Sequence, residues 1–434
     1  MLTGCSTYSR YHRAEIPTEN LYRTLPAGID TVTIASMSWR EMFTDRKLQS
    51  LIETGIKQNT DLNVARLRVE AAEAALITAK LSYLPSLGIN AEGGSSQYDG
   101  TTAKTYNVGA SASWELDIFG RLTAAKRGAV AALQGSRDYQ QAVQTQLVAT
   151  IADSYYTLSM LDTQMAINNR TLENWRATVR TLEALKKVGK ANEAGVLQAK
   201  ANVMQLESSQ LAIRKSISET ENALSAILAM PSHSIERNNL TEASFPDTIS
   251  IGVPLQLLSN RPDVRQAEME LAQAFYATNV ARAAFYPNIT LSGTLGWTNN
   301  GGGVITNPGQ WLLNVIGSLT QPLFNRGVNI AKSRQEEAKL LFRQALLNAG
   351  KEVNDALTVW QTAKSQIEIG ERRVSVLNDA VQKTELLMCH SGATYLEVLT
   401  AQQSLLEAET LQSQAYFERI QSIIKLYHAL GGGA

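Results

Sequence analysis

The sequence of 434 residues predicts a mainly α-helical protein with four short, membrane-type β-strands and an internal duplication. Three observations predict this fold class. Matching motifs recur at one constant offset, two very long stretches keep heptad spacing without a proline, and four short segments alternate apolar with polar residues. Apolar residues make up 44% of the chain and aromatic residues only 6%, which suits long helices better than a compact all-β domain.

The duplication is visible in motifs that lie 202 residues apart. Pro85 matches Pro287, and Val196–Ala199 matches Val398–Ala401 at the same offset. A repeat of this length is a whole architectural unit, much longer than the short units of solenoid proteins. We therefore expect an N-terminal extension, a first structural repeat, a connecting equatorial segment and a second structural repeat. Their predicted bounds are 1–38, 39–230, 231–261 and 262–434.

The two longest predicted helices run from Thr123 to Val188 and from Val328 to Met388, each without a proline. Their apolar residues alternate at spacings of three and four, as in a coiled coil, and about 65 residues at 1.5 Å each reach on the order of 100 Å. Gly189 and Gly392 stand where a left-handed cap residue is expected, so each helix should end at a tight reversal. Shorter or returning helices are predicted at 47–81, 194–230, 262–284 and 394–430.

Four short segments alternate apolar and polar residues with the period of a β-strand. They lie near 86–97, 105–116, 288–298 and 310–320, with turn-rich loops expected at 97–104 and 299–309. Spans of about 9 to 11 residues, tilted by about 45°, fit the hydrocarbon core of a bilayer. A soluble, half-buried hairpin gives the same alternation, so the strands alone leave both interpretations open.

Aromatic residues favour the membrane interpretation. Trp297 and Trp311 lie beside the same predicted loop, where an aromatic girdle would sit, and Trp114 and Tyr106 are further girdle candidates. Four strands cannot close a barrel, and every backbone group in lipid must be paired, so several chains are expected to pool their strands. No run of about 18 apolar residues occurs, which excludes a transmembrane helix.

Cys5 follows Leu2, Thr3 and Gly4, a pattern similar to the lipobox of bacterial lipoproteins. This similarity predicts that Cys5 is acylated and that the extension 1–38 is lipid-anchored. The basic and apolar parts of a signal peptide do not precede it, so a trimmed signal and a chance match are the two alternatives. An ordinary surface cysteine is the plain interpretation.

The composition argues against several other classes of protein. The 40 basic and 40 acidic residues balance, so a nucleic-acid partner is not expected. Four histidines occur without metal-ligand spacing, and no phosphate loop or nucleophile elbow is found, so neither an enzyme nor a cofactor is expected. The pair Cys389 and His390 could bind a soft metal only if further ligands converged on it.

Several motifs together resemble one family, the outer membrane factors, which are the TolC-like exit ducts of Gram-negative efflux pumps. The resemblance spans essentially the whole chain and includes the lipoprotein branch that works with RND-type pumps. Each motif also has a structural interpretation; Pro262, for example, suits the first turn of a helix. The motifs lie at 39–43, 59–62, 114–122, 260–268, 322–327 and 395–402.

This resemblance implies a homotrimer in the bacterial outer membrane, with a shared 12-stranded β-barrel and a 12-helix α-barrel that extends into the periplasm. It implies a periplasmic adaptor protein, an inner-membrane RND or ABC transporter and outer membrane lipid as partners. The implied function is a passive exit duct for drugs or other small molecules. A duct for type I protein secretion or heavy-metal export is the alternative, and a lipid-anchored coiled-coil scaffold without a pore is the alternative from another class.

The helix reversals are the predicted periplasmic tip and gate. The family often places an aspartate just ahead of the tyrosine at the second reversal, but this chain has Ala393 and Thr394 there. Glu193 and Glu397 are the nearest acids, and either is a candidate gate charge or an ordinary helix-start carboxylate. The predicted tip and gate residues are Gly189, Glu193, Gly392, Tyr395 and Glu397.

Overall fold

The structure is a computed structural model that describes residues 9–13, 21, 34–242, 245, 260–298, 310–320, 327–389 and 394–433. Cys5 and Gly392, two of the predicted functional residues, lie outside these ranges. Within them the chain forms long helices and one four-stranded sheet. The helices are α1 (Trp39–Met42), α2 (Arg46–Gln58), α3 (Thr60–Leu81), α4 (Arg121–Lys187), α5 (Glu193–Ile227), α6 (Pro262–Ala283), α7 (Gly327–Cys389) and α8 (Tyr395–Ala429). The strands are β1 (Ser86–Tyr98), β2 (Thr101–Leu116), β3 (Asn288–Thr298) and β4 (Gln310–Thr320).

The predicted helix 47–81 is wrong as one element, because it is divided at Asn59 into α2 and α3. The Asn59 side chain stabilises the break from both sides. Its Oδ1 accepts a hydrogen bond from the Leu62 N–H at 2.9 Å, as an N-cap residue does, and its Nδ2 donates to the Ile227 carbonyl oxygen at 2.9 Å. No proline or glycine lies between Ile56 and Leu62, so no helix-breaking residue indicated the division.

The predicted loop at 97–104 is also wrong. Strands β1 and β2 pair up to Tyr98 and Thr101, and the connection is a two-residue turn. Asp99 and Gly100 have φ angles of 46° and 76°, which both central residues of a type I′ turn require. An Asp-Gly pair is a strong signal for such a hairpin. The glycine and threonine residues on either side led instead to the prediction of a longer loop.

The chain divides into two compact units. One consists of the described parts of Met1–Pro17, Ala65–Tyr139 and Asp263–Ala345, and it contains the whole sheet. Its helical part is held by close packing of α4 on α6. A Cβ atom at Gly135 would lie 3.3 Å from the Met269 side chain, and the Asp138 carboxylate, only 3% exposed, pairs with Arg265 at 2.9 Å.

The passage from β2 into α4 shows how the sequence positions the sheet. Gly120 has a φ of +74°, a conformation in which a side chain would be strained. The Asp117 carboxylate accepts hydrogen bonds from the N–H groups of Leu122 and Thr123 at 2.8 and 2.9 Å, which satisfies the free donors at the start of α4. Gly120 and Asp117 together therefore turn the chain sharply from the sheet into α4.

The other unit consists of the described parts of Thr18–Val64, Gln140–Pro262 and Leu346–Ala434. Its helical core joins α4, α5 and α8. The shared cluster of buried side chains is Leu172, Trp175, Leu182, Val196, Ala199, Leu206 and Leu399. These positions follow the heptad spacing predicted from the sequence, which explains why each long helix needs neighbours to be stable.

The connecting segment is fixed to this unit by charge. Arg237, whose side chain is 12% exposed, binds both carboxylate oxygens of Asp162 at 2.6 and 2.8 Å and also binds Glu221 at 2.6 Å. These hydrogen bonds raise the pKa of the guanidinium above its usual value, chiefly through Asp162. The beginning of the connecting segment is therefore anchored to α4 and α5.

Candidate functional site: the apolar sheet face and the helix reversals

The strand register places most apolar residues of the four strands on one face of the sheet, while Leu312 and Ile316 of β4 lie on the other. Leu291 on β3 lies opposite Trp114 on β2 and Gly317 on β4, and Leu295 lies opposite Ala110 and Leu313. Residues that are directly opposite in a sheet point to the same side. This apolar face consists of Leu87, Ile89, Ala91, Gly93, Tyr106, Val108, Ala110, Ala112, Trp114, Leu116, Ile289, Leu291, Gly293, Leu295, Trp297, Trp311, Leu313, Val315, Gly317 and Leu319.

The opposite face is mainly polar. Its β1 and β2 residues are rich in serine, asparagine and glutamate, and its β3 residues are Thr290, Ser292, Thr294, Gly296 and Thr298. Gly296 lies opposite Gly109, and at each of these glycines a Cβ atom would collide with the backbone of the neighbouring strand. The two glycines therefore allow β2 and β3, which come from different repeats, to approach closely.

The apolar face is exposed in the single chain. The exposed fractions are 83% for Leu87, 89% for Ile89, 74% for Leu313 and 75% for Val315. Exposed apolar patches of this extent mark interaction sites, because it is unfavourable to leave so much apolar surface in contact with water. Because apolar residues cover the whole face, it suits contact with an extended apolar surrounding better than the binding of a small ligand.

Both edges of the sheet are open. The strand order is β1-β2-β3-β4, so β1 and β4 each have one hydrogen-bonded neighbour. Each edge therefore leaves a row of backbone N–H and C=O groups for a further strand. Within the residues that the structure describes, an apolar face is thus combined with two edges that no further strand covers.

The predicted girdle residues lie toward the two ends of the apolar face. Tyr106, Trp297 and Trp311 are toward the hairpin end, where Trp297 is opposite both Trp311 and Val108. Trp114 lies toward the helical end, and its Nε1–H donates to the Tyr83 carbonyl oxygen at 3.0 Å. Two aromatic levels at the ends of one apolar face match the arrangement of interface girdles.

The first helix reversal is built by Gly189. With a φ of +75°, Gly189 donates its N–H to the Lys186 carbonyl oxygen at 3.0 Å, and Lys190 donates to Leu185 at 2.9 Å. These two bonds form a Schellman motif, which satisfies the last carbonyl groups of α4. The predicted left-handed cap is therefore present at Gly189, while Gly392 lies outside the described residues.

Tyr395 links the beginning of α8 to the beginning of α5. Its hydroxyl lies 3.3 Å from Oδ1 of Asn192, the N-cap residue of α5, and the same oxygen accepts a hydrogen bond from the Gly195 N–H at 2.9 Å. The Tyr395 ring covers Gly195, where a Cβ atom would lie 2.7 Å from the ring. Sequence reasoning missed Asn192 and Gly195, although an asparagine just before an acidic first turn is a typical N-cap signal.

The two candidate gate acids are both engaged within the described tip. The Glu193 carboxylate forms an ion pair with Lys186 across the reversal. The Glu397 carboxylate accepts hydrogen bonds from the Thr394 backbone N–H at 2.6 Å and from the Thr394 hydroxyl at 3.0 Å. The Glu397 contacts support the helix-start interpretation, because they satisfy the N-cap residue of its own helix, whereas Glu193 pairs with a lysine in the last turn of α4.

Two further expectations concern a metal site and a transmembrane helix. Within the described residues, no three or more His, Cys, Asp and Glu side chains are grouped so that they could hold a metal ion. His390 and the Cys389 side chain are not among the described groups, so the predicted pair stays untested. No helix in the described ranges is both long enough and apolar enough to span a membrane.

The chain is similar to known proteins in both sequence and fold. The family model for outer membrane efflux proteins matches the chain twice, over residues 51–230 and 253–432. The two matches start 202 residues apart, which is the offset of the duplication read from the sequence. Together they cover most of the chain.

Similar proteins include two curated relatives and one solved outer membrane channel. The cation efflux system protein CusC of Escherichia coli O6:H1 is 30% identical over 448 residues, covering 100% of this chain and 96% of CusC. The probable outer membrane lipoprotein SilC of Salmonella typhimurium is 29% identical over 454 residues, covering 100% of this chain and 96% of SilC. The open state of the Neisseria gonorrhoeae MtrE outer membrane channel matches with a TM-score of 0.88 at 25% identity, covering 99% of this chain and 98% of that one.

Proposed function

This chain belongs to the outer membrane efflux protein family, and we propose that three copies of it form the exit duct of a tripartite efflux pump. In this proposal the twelve strands of three chains close one barrel in the outer membrane. The duct is passive, and the free energy for export comes from an inner-membrane transporter that acts through a periplasmic adaptor.

The observation that carries the proposal is the combination of the apolar sheet face with two open edges. In lipid each unpaired backbone group costs several kcal/mol, so a four-stranded sheet with open edges is not stable there. Pairing β1 of one copy with β4 of the next removes both edges and places the apolar face toward the lipid and the polar face toward the lumen. A closed ring with identical heterologous contacts is the symmetric solution.

Two measurements test this proposal. The detergent-extracted protein should migrate as a trimer in native mass spectrometry, and the same preparation should conduct ions in a planar bilayer. A stable, folded monomer would contradict the assembly, and trimers without conductance would support a scaffold without a pore. A matched preparation carrying Leu295→Arg on the apolar face should give neither trimers nor channels.

The helix reversals are proposed as the periplasmic tip that the adaptor contacts. Gly189 and Tyr395 support this assignment, because they mark the points where α4 ends and α8 begins, and the Tyr395 side chain contacts Asn192 and Gly195 at the start of α5. Glu193 and Glu397 are proposed as part of the same surface through their local contacts rather than as a free charge ring. Gly392 is proposed as the second reversal.

Export of heavy-metal cations is the second candidate function, favoured by the similarity of this chain to CusC, a cation efflux system protein. Deleting the gene should reveal the cargo class. Sensitivity to copper or silver salts with unchanged sensitivity to organic drugs would support the metal-export function. The reverse pattern would support drug efflux, and loss of a secreted protein from the medium would support type I secretion.

A further inference from the structure

The helix ends that adjoin the sheet carry an uneven distribution of charge. No aspartate or glutamate occurs in residues 74–81 of α3, 121–137 of α4, 271–283 of α6 or 327–335 of α7. The chain as a whole has 40 basic and 40 acidic residues, so these ends are positively charged within a balanced protein. Their basic residues are Lys80, Arg121, Lys126, Arg127, Arg137, Arg282, Lys332 and Arg334.

The helix dipole explains only part of this pattern. The C-terminal end of a helix favours cations, and Lys80 and Arg282 lie in the last turns of α3 and α6. The N-terminal end favours anions, yet neither α4 nor α7 has an acidic residue in its first turn. Arg121, Lys126 and Arg127 all lie near the start of α4, where the dipole does not favour a cation. The dipole therefore does not account for the cations of α4.

Lys126 lies on the same side as the apolar sheet face. Its Nζ is 5.2 Å from the centre of the Tyr83 ring. The Tyr83 carbonyl oxygen accepts the 3.0 Å hydrogen bond from Trp114, a residue of the apolar face. Arg121, which precedes Lys126 on α4, instead forms an ion pair with Glu115 of the polar face. The step from Arg121 to Lys126 is about 140° of helical rotation, so the two cations lie on different sides of α4.

Lys80 lies on the same side as Lys126. Arg137 follows Lys126 by about three helical turns, so both project from one side of α4. The Arg137 guanidinium binds the Glu73 carboxylate of α3 at 2.8 Å. Lys80 follows Glu73 by about two turns and shares its face of α3. The apolar-face side of α3 and α4 thus carries Lys80 and Lys126 next to the sheet.

Arg282 of α6 also lies on this side. Gln273 of α6 and Tyr139 of α4 line one groove, and Tyr139 follows Arg121 by about five full turns. That groove is therefore on the polar-face side. Arg282 follows Gln273 by about two and a half turns, so it projects from the opposite side of α6.

The three cations Lys80, Lys126 and Arg282 form a basic collar beneath the apolar sheet face. Lys80 and Arg282 are exposed and Lys126 is half-buried. Within the described part of the chain, no ion pair involves any of the three. Lys80 and Arg282 each lie next to the last residue of their helix, and Lys126 is about 8 Å along α4 from its start. The headgroup layer of a bilayer is about 5 to 8 Å thick on each side, so the collar has the height of headgroups beside a membrane-spanning sheet.

We propose that the basic collar binds the phosphate groups of anionic phospholipids in the leaflet nearest the helices. The inference rests on the proposed function, because it requires that the sheet crosses the outer membrane. In this arrangement Leu84 and Leu87, which are 61% and 83% exposed, contact the acyl chains while the collar contacts the headgroups. Trp114 and Tyr83 lie between them, at the level where membrane proteins place aromatic side chains.

A phospholipid fits this surface better than a soluble anion does. A soluble phosphate would use the cations alone, whereas a phospholipid also covers the exposed leucines. Each lysine or arginine close to an anionic lipid surface adds to the attraction. Anionic phospholipid therefore accounts for both the positive charge and the neighbouring apolar surface.

Lipid retention tests the inference. Trimers extracted in mild detergent and mixed with equal amounts of phosphatidylglycerol and phosphatidylethanolamine should retain chiefly phosphatidylglycerol in native mass spectrometry. The triple variant Lys80→Gln, Lys126→Gln, Arg282→Gln should retain about tenfold less phosphatidylglycerol or lower still, because each basic residue near an anionic surface contributes about fivefold. High salt should weaken the preference of the unsubstituted protein.

Three further variants are matched controls. The charge-conserving set Lys80→Arg, Lys126→Arg, Arg282→Lys should keep the preference. Arg334→Gln should also keep it, because Arg334 lines a groove with Gln273 on the polar-face side. Arg137→Gln should keep it as well, because Arg137 is on the side of the collar but about 16 Å farther from the sheet than Lys126.

Three results would overturn the inference. They are an unchanged preference in the triple glutamine variant, equal losses from that variant and from Arg334→Gln or Arg137→Gln, and displacement of phosphatidylglycerol by millimolar glycerol phosphate. The last result would show that the collar binds a soluble anion. Trimers that conduct ions but retain both lipids equally would contradict this inference and leave the proposed function intact. Absence of trimers in the unsubstituted protein would instead contradict the proposed function.

Discussion

The ring of Tyr395 lies so close to Gly195 that a methyl group at position 195 would come within 2.7 Å of the ring. This contact joins the first turn of α5 to the first turn of α8, and the Tyr395 hydroxyl adds a 3.3 Å contact to Asn192. Only a residue without a side chain fits beneath the ring in this position. The glycine is therefore required by close packing, since its backbone is helical.

We predict that Gly195→Ala destabilises the tip by about 1 to 3 kcal/mol, the usual cost of overpacking. Hydrogen exchange of the peptide 189–200 should become faster, while exchange in the sheet is unchanged. Combining Gly195→Ala with Tyr395→Leu should restore part of the protection, because the smaller side chain makes room. The same loss with either residue at position 395 would show that the ring is not responsible.

Gly189 offers a matched comparison, because glycine is needed there for its backbone conformation and not for lack of space. Among the described residues a Cβ atom there would meet no neighbour within 4 Å, but φ is +75°. We predict that Gly189→Ala costs about 1 kcal/mol and that Gly189→Asn costs less, since asparagine tolerates this conformation better. Thermal melting of the purified trimer should show this order. Equal melting temperatures for the alanine and asparagine variants would contradict the strain argument.

Arg237 gives a prediction for the connecting segment. Arg237→Gln removes the charge that faces Asp162 and Glu221, and the side chain of Glu221 is only 17% exposed. We expect a loss of about 2 to 4 kcal/mol in local stability, as for breaking a partly buried ion pair. The readout is exchange of the Asn238 amide, which donates to the Tyr155 hydroxyl at 2.9 Å. Lys351→Gln, which breaks an exposed pair with Asp355, should change stability by less than about 1 kcal/mol.

The features that were predicted correctly from the sequence are those that depend on a regular repeat of apolar residues. The α4 and α7 heptads and the alternation in β3 and β4 each reflect a repeating environment, and the predicted TolC-like fold class is confirmed by the match to MtrE. The division at Asn59 was missed because it depends on one capping side chain, with no proline or glycine at the break. The covering of Gly195 by Tyr395 was missed because it joins residues 200 positions apart and depends on the exact approach of two helices.

The sequence predicts that Cys5 is acylated, and Cys5 lies outside the residues that the structure describes. A single acyl chain gives marginal membrane affinity and several chains give stable anchoring, so the modification should add to the hold that the barrel provides. Protein made with a functional signal peptide should carry the mass of a diacylglycerol and a further acyl chain at Cys5. Cys5→Ala should leave trimers intact, and an unmodified Cys5 in membranes from such cells would contradict the prediction.

The sheet faces give the sharpest test of membrane orientation, because neighbouring residues point to opposite sides. Leu291 belongs to the apolar face, opposite Trp114, and Thr290 belongs to the polar face, opposite Glu115. We predict that Leu291→Arg costs about 2 to 4 kcal/mol per chain, the cost of an arginine facing lipid near the bilayer midplane. Thr290→Arg should be far milder, because its charge would face the water-filled lumen. Trimer yield in outer membranes measures both effects, with total expression as the control. Equal losses from the two variants would show that the faces are not divided between lipid and water, and a greater loss from Thr290→Arg would reverse the assignment.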